Sequence, residues 1–286
     1  MFLLLACTDT RPPVDDTAPI DTDTDTDTVP WVETPAPTEW IGAIEVVEMP
    51  SWSYARLAAA IRTAALPTTQ TIVATEGDCS VLDGPTANAW DCTPECSYSD
   101  ETCIDGECVP WPDMAPAGDI TVEGLLPGTA VLEAFDLGYY GTPDGYTGEL
   151  FDAGDVVTVT SPGGDTPGLS LTAQGVDTID LDYTTLESGE DMTLTWTPGS
   201  GGTRVEVQLE TGWHGSAALT TIWCDTEDDG ELVIPGSITG YFQRPSCGEC
   251  EMSTARRYTR DIVDFGAGPI QLLVASEWIF VPWWAE

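Results

Sequence analysis

Short runs of alternating apolar and polar residues, broken by Pro-Gly, Gly-Gly and Asp-Gly pairs, set the character of this chain from residue 118 onward. Runs at 119–122, 130–135, 156–160, 169–173, 178–183, 192–196, 204–209, 217–223, 231–234 and 270–275 each read as a strand. Residues at i, i+2 and i+4 share one face of a pleated ribbon, so such runs can bury one side. Short strands separated by turn residues point to a sandwich or barrel. Ahead of them, 40–49 (WIGAIEVVEM) reads as an edge strand that stops at Pro50. Residues 56–65 (RLAAAIRTAA) are taken as a strand although Leu57 and Ile61 also sit at helical spacing, and 77–83 (GDCSVLD) resumes the pattern until Gly84-Pro85 breaks it. The stretch 193–199 (TLTWTPG) followed by 204–209 (RVEVQL) is expected to be a hairpin, with Leu194 and Trp196 on one face and Val205, Val207 and Leu209 turned to the core. Trp196 is read as a core plug. The expected fold class is all-β, an immunoglobulin-like β-sandwich over residues 40–286.

The pattern is absent from the first forty residues. Residues 8–39 carry nine acidic side chains, one basic one (Arg11) and a series of prolines, with no periodic apolar face. Such a segment cannot bury enough surface to offset the entropy of ordering it, so a disordered linker is expected. The Asp-Thr repeat at 21–28 repels itself and reads as an extended spacer. In front of it, Leu4-Leu5-Ala6-Cys7 has the form of a bacterial lipoprotein cleavage site, with Cys7 as the acyl acceptor and residues 1–7 as a signal remnant. Those first residues lack Lys and Arg and are shorter than a full export leader, whose apolar core runs about 7–15 residues. The translated start is therefore expected upstream.

Charge narrows the partners. The formal charge is −41, from 49 acidic residues against eight basic ones, all Arg. Nucleic acid is excluded as a partner because its phosphates would be repelled. Anionic lipid is disfavoured for the same reason, leaving the acyl anchor as the membrane contact. No run of apolar residues is long enough for a membrane-spanning helix.

Nine cysteines become eight if Cys7 is acylated. Cys79, Cys92, Cys96, Cys103 and Cys108 form one group, and Cys224, Cys247 and Cys250 another. An even count in an exported chain favours disulfides, and full pairing requires an odd number of bridges between the groups. The segment at about 84–112 has almost no apolar content and reads as a disulfide-stapled insert, with Cys92–Cys103 and Cys96–Cys108 as the expected pairs. Zinc is the rival for these four thiols, although their spacings differ from paired CxxC motifs.

Catalytic chemistry finds little to work with. His214, the only histidine, lies between glycines in a stretch that reads as a turn, and no nucleophile elbow or zinc helix accompanies it. Cys247-Gly248-Glu249-Cys250 is a CxxC followed at 251–258 by a stretch compatible with a short helix, which leaves thiol or zinc chemistry as an alternative to a structural bridge. Residues 225–230 (DTEDDG) resemble the first half of a calcium loop, but the twelfth position is Gly236 where a bidentate Glu is required. An acidic hairpin turn is the preferred reading, with weak calcium binding as the only cofactor in view. Among eleven tryptophans, Trp278, Trp283 and Trp284 in EWIFVPWWAE are candidates for stacking on glycan, and otherwise cover a sandwich edge.

The combined plan resembles that of uncharacterised lipoproteins of myxobacteria and related Deltaproteobacteria. The resemblance rests on the lipobox, the Asp/Thr/Pro tether, the Cys-rich insert, AGDVVTVTSPGGDTPGLS (153–170) as a strand pair, TLTWTPG (193–199) as a strand and WCDTEDDGELVIP (223–235) as a hairpin. It brings no catalytic residues. The expectation is a lipid-anchored envelope lipoprotein, at the outer membrane or cell surface, with a non-enzymatic binding or structural domain whose partner is an envelope protein or glycan.

Overall fold

The computed structural model describes residues 39–68, 70–84, 92–97, 100–135, 138–210, 220–242 and 253–281. In chain order its strands are β1 (Gly42–Met49), β2 (Tyr54–Ile61), β3 (Thr71–Glu76), β4 (Cys79–Asp83), β5 (Glu101–Ile104), β6 (Glu107–Pro110), β7 (Ile120–Glu123), β8 (Ala130–Leu132) and β9 (Val156–Gly163). They continue with β10 (Pro167–Gln174), β11 (Leu181–Tyr183), β12 (Met192–Trp196), β13 (Arg204–Glu210), β14 (Thr220–Glu227), β15 (Glu231–Ile234), β16 (Thr254–Asp264), β17 (Pro269–Ala275) and β18 (Ile279–Phe280). The protein is all-β and sandwich-like, as expected.

One long sheet organises the body, in the order β2-β1-β17-β16-β13-β14-β4-β3, with β18 beside β16. Two small sheets, β10-β9-β7-β8 and β11-β12-β15, complete the sandwich, and β5-β6 is a separate hairpin. The long sheet serves two cores. At its β2-β1-β17 end, Ile44, Val46, Leu57, Ile61, Leu272 and Val274 pack with Ile120, Leu132, Val157 and Leu171 of the four-stranded sheet. At the other end, Val81, Ile222, Val205, Val207 and Leu209 pack with Met192, Leu194, Trp196 and Ile234 of the three-stranded sheet.

Strand β16 lies between the cores, and its sandwich-side positions turn polar. Thr259 exchanges hydrogen bonds with the backbone of Gln174, and Asp261 accepts from Thr172 N at 2.8 Å, so β10 is tied to β16 by side chains. Within the sheet β1 pairs with β17 in parallel, in an otherwise antiparallel arrangement.

Several expectations are corrected. The expected strand at 40–49 forms as β1 from Gly42 up to Pro50, but it is an inner one, flanked by β2 and β17. The β12 and β13 runs are not a hairpin. β12 pairs with β11 and β15 while β13 pairs with β14 and β16. Their buried faces were read correctly, yet they meet across the core rather than edge to edge. Likewise 223–235 is no hairpin, since β14 and β15 belong to different sheets. Gly230, at φ +105°, makes that crossing, and a Cβ there would meet Trp196 O at 3.1 Å. The helix considered at 251–258 is replaced by β16 from Thr254, where alternation of Ala255, Arg257 and Thr259 with Arg256, Tyr258 and Arg260 sets the period. Strand β2 resolves its ambiguity in the same way. A separation of four satisfies both a helix and a ribbon, and the buried set is Ala55, Leu57, Ala59 and Ile61, a period of two.

Candidate functional site

The most polar part of the interior grows from β13, β14 and β16. Residues 204, 206, 225, 256, 258 and 260 project to the face of the long sheet opposite the small sheets, because their chain neighbours 205, 207, 224 and 255 fill the core. Asp225 accepts from Arg204 Nε at 2.7 Å and from the Tyr258 hydroxyl, with Arg260 Nη1 at 3.6 Å. Glu206 pairs with Arg256 at 2.8 Å and accepts from Trp223 Nε1 at 3.4 Å. Burial pushes the Tyr258 phenol well above its ordinary 10.0, so it stays protonated and donates.

On the sandwich side, Asp228 and Arg257 form a second, deeper unit at 2.6 Å with almost no exposure. Asp228 also accepts from Trp196 Nε1, Thr203 Oγ1 and Gly199 N, while Arg257 donates to the carbonyls of Thr197 and Thr178. Trp196 is thus a core plug with its indole N–H satisfied. The DTEDDG segment is not a hairpin turn, since β14 and β15 lie in different sheets; its Asp225 and Asp228 spend their oxygens on arginine, tyrosine and tryptophan, while Glu227 and Asp229 are exposed.

Half of the chain's eight basic residues, Arg204, Arg256, Arg257 and Arg260, enter these networks. Sequence reading passed over them. The available signal was that three of so few arginines fall within 256–260, on alternating faces of one strand.

Titration follows from this placement. Burial raises Asp228, but hydrogen bonds from Arg257, Thr203 and Trp196 outweigh it and hold the carboxyl below its ordinary 3.8. Its stabilisation is present above that value and lost as pH falls through the lowered one. Glu48, buried on β1, is pushed above 4.5 by burial, only partly offset by hydrogen bonds from Leu150 N and Phe151 N. Its contribution is fully present below 4.5 and lost as pH rises through the raised value. Glu48→Gln is therefore expected to flatten the decline on the neutral side and to leave the acid limb unchanged, in melting curves recorded across the acid range.

The cysteines fall into three bridges among the described residues. Cys92 is bonded to Cys103, Cys96 to Cys108, and Cys79 to Cys224. The first two hold β5 and β6, whose local cluster consists of cysteines alone. With the four insert sulfurs bonded to one another, no thiolate is left there for zinc. The third bridge joins the two cysteine groups across the β4–β14 ladder. Trp278 is half-buried with the Arg256 guanidinium 4.8 Å from its ring centroid. Cys7, His214, Cys247, Cys250, Trp283 and Trp284 lie outside the described residues.

A cleft of about 540 Å³ opens over β1 and β2. Its floor is Ala43, Ala58 and Ala60, adjacent through the β1–β2 register, and Trp40, Leu82 and Tyr139 border it. Glu45 and Arg56 pair within it at 2.7 Å. The alanine run of 58–60, unusual in a strand, was its only trace in the sequence. No protein-family model matches the chain, and no curated protein is significantly similar to it.

Proposed function

We propose that the protein is an exported, lipid-anchored component of a bacterial cell envelope, held through Cys7 and an acidic tether, whose β-sandwich body is a non-enzymatic binding or structural module. The observation that carries the reading is the use of cysteine. Six cysteines of the described body are oxidised in pairs, which suits an oxidising compartment and not a reducing cytosol. Cys7 follows an apolar Leu-Leu-Ala and precedes an acidic tract with no periodic apolar face, the arrangement an acyl anchor and spacer require. The strongly negative charge adds that the body itself has no affinity for anionic lipid, so the anchor has to supply the attachment.

Intact mass and a non-reducing peptide map of protein purified from its own membranes, with free thiols alkylated, test this directly. The expected result is acyl mass on Cys7 and no alkylated cysteine. An unmodified Met1 with Cys247 and Cys250 alkylated would overturn it and bring thiol or metal chemistry forward.

A further inference from the structure

We infer that the cleft over β1 and β2 is a binding site for a neutral oligosaccharide, an inference that rests on the body being a binding module and names its ligand class. Its volume of about 540 Å³ lies within the range of small-ligand sites, about 300–1,000 Å³.

The lining selects the chemistry by elimination. Ala43, Ala58 and Ala60 make a flat apolar patch with no side chain beyond Cβ, bounded on the same sheet face by the paired Glu45 and Arg56. Such a floor accepts the flat face of a ring and leaves no pocket for a branched side chain. Trp40 borders it, with the Arg260 guanidinium 5.4 Å from its ring centroid. An aromatic beside a flat floor suits the apolar face of a pyranose.

The charged groups are already engaged. Arg56 is closed by Glu45. Arg62 donates to Pro112 O at 3.1 Å and to the Tyr139 hydroxyl, and it lies 5.5 Å from the ring centroids of both Trp111 and Tyr139. A cationic ligand would find the one carboxylate of the cleft lining, Glu45, already paired with Arg56, and an anionic one would find Arg62 already donating to Pro112 O and the Tyr139 hydroxyl. An extended peptide adding to the sheet is disfavoured as well, because Tyr140 already bridges the outer edge of β2 at Ala59 through both backbone hydrogen bonds. Hydroxyl groups fit what remains, since the neutral side chains of Gln70 and Thr68 border the cleft and can exchange hydrogen bonds with them.

The test is calorimetric titration of the full chain with maltotetraose, cellotetraose and N-acetylchitotetraose, with tryptophan fluorescence read in parallel. Saturable binding of at least one is expected, weakened about tenfold or more by Trp40→Ala. Ala58→Leu raises the floor without touching Trp40 and is expected to abolish binding in a protein that still melts cooperatively. Trp52→Ala, an exposed position away from the cleft, is expected to change nothing. The absence of saturable heat with all three sugars, or binding that survives Ala58→Leu, would overturn the proposal. Because these titrations use purified protein, a negative result leaves the anchoring question untouched, and an unacylated Cys7 leaves the sugar result untouched.

Discussion

Asp228→Ala is expected to lower the unfolding free energy by about 3–5 kcal/mol, because it leaves a buried guanidinium without its counter-charge. Arg257 and Asp228 have side-chain exposures of only 4% and 2%, so water cannot replace the lost partner. The same carboxylate holds Trp196 Nε1 at 2.6 Å and Thr203 Oγ1 at 2.6 Å, so its removal also frees the loop after β12. Against a typical total of about 5–15 kcal/mol, the loss is large. Replacing both partners with apolar residues, as in Asp228→Leu/Arg257→Met, is expected to cost less than the single change, since no charge remains to be buried. The exposed pair is the contrast. Arg56 is 45% exposed, and Glu45→Ala should cost no more than about 1 kcal/mol. Urea unfolding of the four proteins measures the ranking. If Asp228→Ala and Glu45→Ala lose the same amount, the inter-sheet network is not a stabilising unit.

Removing the Cys79–Cys224 bridge should be the second large loss. It closes a separation of 145 residues, for which the chain-entropy model gives about 5 kcal/mol, against about 3 kcal/mol for a loop as short as that of Cys92–Cys103. The structure adds a reason of location. Cys79 and Cys224 are fully buried members of the β12–β13 core, whereas the insert bridges hold a hairpin that packs mainly on itself. Cys79→Ala/Cys224→Ala should therefore shift the global unfolding midpoint, and Cys92→Ala/Cys103→Ala should chiefly loosen β5 and β6. Guanidinium unfolding without reductant, with proteolysis of the insert as a local probe, separates the two. Equal midpoint shifts would contradict the ordering. Leu82, on the same strand as Cys79, borders the cleft, so the first variant should also weaken any ligand bound there.

Strand positions were readable wherever the period of two was clean, as in 192–196 and 204–209, because burial of one ribbon face is a local constraint. Pairing was not, because any strand with an apolar face can neighbour any other. Residues 193–209 looked like a hairpin since short connections usually join adjacent strands, yet the five residues Thr197, Pro198, Gly199, Ser200 and Gly201 begin a crossing between sheets that Asp228 holds from a distance. β16 was missed because its polar members are satisfied by partners on β13, β14 and β10, which no local window contains. The candidate cleft was invisible for the same reason. Trp40, Ala58, Leu82 and Tyr139 come from four separate places in the chain.

By itself, the amino-acid sequence determined the all-β class, the strand faces, the low-apolar acidic tract and a cysteine count suited to bridging. These follow from composition and short-range periodicity, which fix what each segment can bury. The tertiary structure decided that one sheet serves two cores, that Asp225 and Asp228 of the acidic DTEDDG segment pair with arginines, and that small residues of β1 and β2 floor a cleft. Those outcomes depend on which buried charges find partners and which sheet faces meet, and both are settled only when distant segments pack together.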